Sequence, residues 1–181
     1  VAAAAAGGAT VAGLSVEGMP REVPARPGFG PGDELLPGLL ETGRERLASA
    51  LADAGYLDAE VRADTVSRTG GVAVSYAVRP GEPARLEGWL VRGNDSITTR
   101  DLTDVLPGPG TRYGRATLER AVRAVLARAA ERGFPLCRAE VARVEFRDGL
   151  VFPEMKVDEG ELVLVERLAF VPPGNTNHGV L

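Results

Sequence analysis

The chain has 181 residues, of which 44% are hydrophobic, 25% charged and 5% aromatic, a composition that excludes the disordered, collagenous and helical membrane-spanning classes. Its 21 basic and 25 acidic residues leave a formal net charge of −4, so the chain as a whole carries no electrostatic footprint for nucleic acid or anionic lipid. One cysteine, Cys137, excludes an intramolecular disulfide and any multi-thiolate metal site.

The leader, residues 1–10, is rich in small residues: Ala2–Ala6 followed by Gly7-Gly8-Ala9. It reads equally as a flexible segment and as the tail of a cleaved signal segment. Val11–Val16 is a short apolar run that predicts a strand. The stretch near 20–33 is dense in proline and glycine and predicts irregular chain. Leu40, Leu47, Ala50, Leu51 and Ala54 then recur at helical spacing, with Gly55 as the stop. Val61–Thr65 and Val72–Val78 alternate in polarity around a turn at Ser67–Gly71, which predicts an antiparallel hairpin.

The same order follows again. Ala84–Arg92 reads as a strand, Thr98 or Thr99 caps a short helix carrying Leu102, Val105 and Leu106, and Pro107-Gly108-Pro109-Gly110 ends it. Leu118, Ala121, Val122, Val125, Leu126 and Ala129 share one helical face that closes at Gly133. Val141–Phe146 and Leu150–Val157 flank Arg147-Asp148-Gly149, a tight hairpin signal. Leu40-Glu41, Leu47 and Gly55-Tyr56 match Leu118-Glu119, Val125 and Gly133-Phe134 at an offset of 78; Ala59-Glu60-Val61 matches Ala139-Glu140-Val141 at 80; Val78 and Gly81-Glu82 match Val157 and Gly160-Glu161 at 79. A further element occurs three times: Leu14-x-Val16-x-Gly18, Trp89-x-Val91-x-Gly93-Asn94, and a looser Leu168-x-Phe170 before Gly174-Asn175.

The expected class is therefore α+β, as tandem β-α-α-β-β units, each a three-stranded sheet with two helices on one face. The expected division is a leader at 1–10, a first unit at 11–80 with its insertion near 20–33, a second at 81–160, and the truncated start of a third at 161–181. In each unit the first strand is expected to pair with the last, leaving the middle strand at an edge.

These ordered motifs resemble the polypeptide-transport-associated (POTRA) domain of surface-antigen-type outer-membrane assembly and translocation factors. The resemblance rests on Trp89-x-Val91-x-Gly93-Asn94, Gly110-Thr111-Arg112-Tyr113, Gly133-Phe134 with Ala139-Glu140-Val141, and Val157-Asp158-Glu159-Gly160. The first unit keeps Gly55-Tyr56 with Ala59-Glu60-Val61, and Val78-Arg79-Pro80-Gly81, but Gly18-Met19 stands in place of Gly-Asn. The motif residues Gly18, Gly55, Tyr56, Gly81, Gly93, Asn94, Tyr113, Gly133, Phe134 and Gly160 are read as maintaining the fold. The resemblance implies a non-enzymatic periplasmic region tethered to a C-terminal membrane β-barrel. Its implied partners are unfolded outer-membrane clients or accessory subunits, held by strand addition. It implies no cofactor, nucleic acid or small-molecule substrate.

The acceptor edges are expected at Val61, Arg62, Ala63, Asp64 and Thr65, and at Ala142, Arg143, Val144, Glu145 and Phe146, where unpaired backbone groups can take another chain's strand. The opposing reading makes Arg62, Asp64, Arg143 and Glu145 charges that guard those edges against aggregation. No catalytic or metal-binding constellation emerges. His178 stands beside Asn175 and Asn177 only, and Cys137 has no histidine nearby in sequence. Gly108-x-Gly110-x-x-x-Gly114 lacks the Lys-Ser/Thr pair of a phosphate loop and reads as an interhelical turn. Asp158-Glu159 and Glu60 with Asp64 read as solvated faces.

Overall fold

A computed structural model describes residues 9–164. The first sheet is built from β1 (Val11–Glu17), β2 (Glu60–Arg68) and β3 (Gly71–Arg79), in the order β1-β3-β2. β1 runs parallel to β3, and β2 pairs antiparallel with it through the Thr69-Gly70 turn. One helix, α1 (Leu39–Asp53), covers a face of this sheet with Leu47 and Leu51 fully buried against Val74, Tyr76 and Val78. Each such side chain contributes about 1.5–3 kcal/mol of burial. The Tyr76 hydroxyl, lodged in this core, donates to the Leu40 carbonyl at 2.9 Å.

The expected second helix of this unit is absent: residues 18–38 contain none. Pro20, Pro24 and Pro27 interrupt the segment at short intervals, and each removes a backbone donor that a helix interior needs. The tract still supplies apolar cover, because Val23, Pro27 and Leu35 are buried and the Phe29 ring meets Tyr76 edge-on at 6.4 Å.

In the second sheet the predicted 84–92 strand is broken into β4 (Arg85–Leu86) and β5 (Leu90–Arg92), both parallel to β7 (Leu150–Asp158). The cause lies in β7. Pro153 occupies this central strand, has no N–H, and falls between the residues that pair with β4 and those that pair with β5. β6 (Arg138–Arg147) pairs antiparallel on the other side of β7, so with β4 and β5 counted as one interrupted strand the order repeats that of the first sheet. The β6–β7 hairpin turns at Asp148 and Gly149, with φ of 51° and 76° as a tight two-residue turn requires.

Two helices cover this sheet. Thr98 caps α2 (Thr99–Thr103) by accepting from the Asp101 N–H at 3.2 Å, and Leu102 is buried beneath it. On α3 (Arg115–Glu131) the buried row is Thr117, Ala121, Val125 and Ala129. Leu118, Val122 and Leu126, expected on the inner face, lie half-buried at its margin. The small side chains of the row bring α3 close to the sheet, over Met155 and Val157. Among the described residues no helix is long and apolar enough to cross a membrane, and no group of three or more His, Cys, Asp or Glu residues is placed to hold a metal ion.

Candidate functional site: open sheet edges and the joint between units

A three-stranded sheet has two edges, and in each unit the chain bonds along the start of one of them. In the first, Val11 donates to Asp33 (2.8 Å) and accepts from Gly32 (2.9 Å), while Leu35 donates to Ala9 (2.7 Å). In the second, Leu86 donates to Thr111 (2.8 Å) and accepts from Gly110 (2.8 Å), while Tyr113 donates to Ala84 (2.9 Å). The segment preceding each long helix thus zips along the start of the first strand by the same three bonds. The Gly108–Gly110 turn supplies this contact through Gly110.

The opposite edges differ. Among the described residues no backbone hydrogen bond reaches β2 or β6 from outside its own hairpin. Val61, Arg62, Ala63, Asp64 and Thr65 lie within β2, whose register with β3 runs unbroken from Glu60 to Arg68. Val61 turns into the core, whereas Arg62 and Asp64 are exposed. Arg143, Val144, Glu145 and Phe146 lie in β6, but Ala142 is the extra residue of a bulge between Val141 and Arg143. A bulge bends its strand and interrupts the row of outward-facing backbone groups. Arg143 and Arg147 both pair with Glu145, at 3.2 and 2.6 Å, and Phe146 is half exposed against the Tyr113 ring at 5.6 Å. β2 is therefore the edge of unbroken register, with Arg62 paired to Glu60 at 3.2 Å, and β6 is the kinked one.

Eight of the ten motif residues fall into four groups, and Gly133 with Phe134 closes α3 as Gly55 with Tyr56 closes α1. Gly18 and Gly93 follow the first strand of each unit with φ of 79° and 82°, and a Cβ on either would be driven into the carbonyl oxygen of Val78 or Val157 in the central strand. Asn94 donates to the Ile97 carbonyl (2.8 Å) and to Thr99 (3.1 Å), holding the turn that opens α2. Gly81 and Gly160 lie in the segments after each last strand, with φ of 70° and 69°. Gly55, Tyr56 and Tyr113 belong to the joint between units. The Gly55 carbonyl accepts from the Ala84 N–H at 2.9 Å, and a Cβ on Gly55, at φ 92°, would strike the Tyr113 carbonyl oxygen.

Around that contact sits a cluster absent from the sequence reading. Arg112 donates through Nε to the Ala54 carbonyl (3.0 Å) and through Nη1 to Glu22 (2.9 Å), and its guanidinium lies 4.5 Å from the centre of the Tyr56 ring. The Tyr56 hydroxyl donates to the same Glu22 carboxylate at 2.7 Å. These bonds from Tyr56 and then Arg112 lower the Glu22 carboxyl to about 2. Arg115 pairs with Asp53 at 2.9 Å a turn away. The repeat held a hint of this, since Tyr56 carries a hydroxyl where its counterpart Phe134 has none.

Glu159 corrects another expectation. It is buried, not solvated, and its carboxylate accepts from the N–H groups of Ser96 (2.9 Å) and Ile97 (2.8 Å). Burial acts to raise its carboxyl, but the backbone donors of Ile97 and Ser96 outweigh it, and the net displacement is downward. A depressed carboxyl stabilises the folded chain above the unfolded-state value and loses that contribution as pH falls through the folded-state value. Glu159→Ala is expected to cost the second unit about 2 kcal/mol by leaving those donors unpaired. Chemical denaturation at pH 7 and pH 3 checks this, because the difference between wild type and variant should shrink at the lower pH.

Cys137, just before β6, is half-buried; burial first, and then Glu159 and Asp158, push its thiol upward, away from a reactive thiolate. His178 lies outside the described residues.

The chain thus forms two-layer α+β units, each with one sheet edge bonded at its start and the other reached by no outside backbone bond among the described residues. Residues 17–81 match the family model of the POTRA domain, described as a surface antigen variable number repeat. No curated protein matches the chain. Among solved structures it is similar to the N-terminal domain of Omp85 from the thermophilic cyanobacterium Thermosynechococcus elongatus, at 20% identity and TM-score 0.47, over 81% of this chain and 61% of that one. It is also similar to POTRA3-5 of Haemophilus influenzae BamA, at 18% identity and TM-score 0.47, over 85% and 67% of the two chains. For POTRA1-2 of Anabaena Omp85 the values are 16% identity and TM-score 0.45, over 84% and 96%. The chain thus spans under two thirds of the Thermosynechococcus domain's length.

Proposed function

We propose that this chain is the periplasmic, protein-binding region of an outer-membrane β-barrel assembly or translocation protein. It is divided into a first unit at 11–80, a second at 81–160 and the start of a third from 161. Its role is to hold extended clients or accessory subunits by strand addition, as a binding module and not as an enzyme. The observation that carries the reading is the difference between the edges: the start of each first strand, at Val11 and at Leu86, is bonded by the chain itself, while among the described residues no backbone bond reaches β2 or β6 from outside its own hairpin. Main-chain pairing at such an edge makes little demand on the incoming sequence, which suits varied β-rich clients.

Of the two, β2 is the stronger acceptor, since its register is unbroken and that of β6 is bulged at Ala142. Titrating isotope-labelled protein with peptides copied from outer-membrane β-strands should shift amide signals from Val61 to Thr65 at lower peptide concentration than those from Ala142 to Phe146. Unmoved amides along both edges at millimolar peptide would sink the proposal. A second reading, a passive spacer or docking platform or the periplasmic domain of a two-partner secretion transporter, draws support in its spacer form from the ion pairs along both edges and from the bonded joint. The spacer form predicts that unmoved result.

A further inference from the structure

The two open edges approach each other across a groove. β6 ends at Arg147, β2 begins at Glu60 just after Asp58, and a groove of about 400 Å³ lies between them. Leu57, Asp58 and Glu82 line it from the first unit and the link that follows, while Phe146, Arg147 and Asp148 line it from the β6–β7 hairpin. Leu57 is 40% exposed and Phe146 50%, so apolar surface from both units faces solvent there. The carboxylates of Asp58, Glu82 and Asp148 are exposed, and the Arg147 guanidinium is already held by Glu145 at 2.6 Å. The groove therefore combines apolar walls with a net negative charge.

The polarity of the two edges matches. β6 runs towards the groove and β2 runs away from it, so an extended chain that is antiparallel to one strand is antiparallel to the other without reversing. The bulge at Ala142 lies on the far side of Arg143, and from Arg143 to Arg147 the strand that borders the groove keeps a regular register. We infer that β2, the groove and Arg143–Arg147 form one track for a single extended polypeptide, antiparallel to both strands, which seats an apolar side chain flanked by basic residues in the groove. Antiparallel pairing is the slightly more stable mode. Leu57 and Phe146 receive the apolar side chain, and the three carboxylates favour its basic neighbours. This rests on strand addition at the edges and adds that one chain fills both.

Titration of the isotope-labelled 181-residue chain tests it. The probe is a peptide of about 20 residues, long enough at about 3.4 Å per residue to cover β2, the groove and Arg143–Arg147, with a central phenylalanine flanked by lysines. Its two halves, added as separate peptides, are the comparison. The whole peptide should move the amides of Val61–Thr65 and Arg143–Phe146 along one shared binding curve, at a concentration roughly tenfold or more below that needed by the halves. A nitroxide at its N-terminus should broaden Ser67 and Arg68, and one at its C-terminus Arg143 and Val144. Halves that bind while the whole peptide binds no tighter, or broadening at both ends of the track by either label, overturn the inference and leave strand addition standing. Amides unmoved by every peptide overturn both. Asp58→Lys with Glu82→Lys should weaken the whole peptide severalfold, and glutamates in place of the peptide's lysines should restore the loss. Unchanged affinity in that variant would overturn the assignment of the groove to the track.

Discussion

Replacing Gly93 with valine should cost the second unit about 3 kcal/mol or more while the first unit keeps its own stability. The residue sits at φ 82°, and its Cβ would run into the Val157 carbonyl oxygen. A left-handed backbone costs an L-residue about 1–2 kcal/mol, and more when the side chain is branched at Cβ. The overlap adds to this, because the obstructing atom belongs to the central strand and can yield only by parting β5 from β7. For a unit of this size each kcal/mol moves the melting temperature by about 4–8 °C, so a drop of well over ten degrees is expected. Gly18→Val is the mirror experiment, with Val78 as the obstacle, and should unfold the first unit instead. Hydrogen exchange read residue by residue separates the two. Unchanged exchange in both units of either variant would remove the close approach as the reason for glycine, whereas loss in both units together would show that the joint makes them fold as one.

Much of this architecture could be read from the repeat, because helix stops and hairpins are local chemistry. Gly55, Gly133 and Asp148-Gly149 mark chain reversals wherever they stand, and the alternation of Val72–Val78 fixes which residues face the core. The first-to-last pairing followed from the order of elements alone. Other features were ambiguous or hidden for different reasons. The repeat calls for a helix in residues 18–38, but the proline-glycine tract already predicts irregular chain there, and Pro20, Pro24 and Pro27 prevail. The break between β4 and β5 is written not in residues 84–92 but across the sheet, at Pro153. The zipper that closes each first strand pairs backbone atoms, so no side-chain pattern announces it; Gly32, Asp33 and Leu35 align with Gly110, Thr111 and Tyr113 only once their bonds are seen. The joint is the extreme case, since Glu22, Tyr56 and Arg112 come from three distant places, and no local pattern joins the Tyr56 and Arg112 of the motifs to Glu22.

That joint carries the other large expected effect, on shape and not on stability. Arg112→Ala removes the bond to the Ala54 carbonyl, the bond to Glu22 and the cation over the Tyr56 ring in one step. What remains between the units there is the single backbone bond from Ala84 to Gly55, together with the Arg115–Asp53 pair, which is solvent-exposed and therefore weak. Relaxation of backbone amides should show one common tumbling time for the two units in the wild type and two separate, shorter times in the variant, with each unit's own amide pattern retained. A single tumbling time in Arg112→Ala would mean that the backbone contact alone fixes the angle. Acid should reproduce the uncoupling only at an extreme. Glu22 is held at about 2, well below its ordinary value, by the Tyr56 and Arg112 hydrogen bonds. Its contribution is therefore complete above the ordinary carboxylate range and is lost as pH falls through the folded-state value. The wild-type joint should stay closed from pH 7 to pH 4 and loosen only on approach to pH 2. Glu22→Gln keeps an acceptor for Tyr56 but carries no charge for Arg112. It should loosen the joint already at pH 7 and remove its acid dependence, so that wild type and variant converge at the lowest pH.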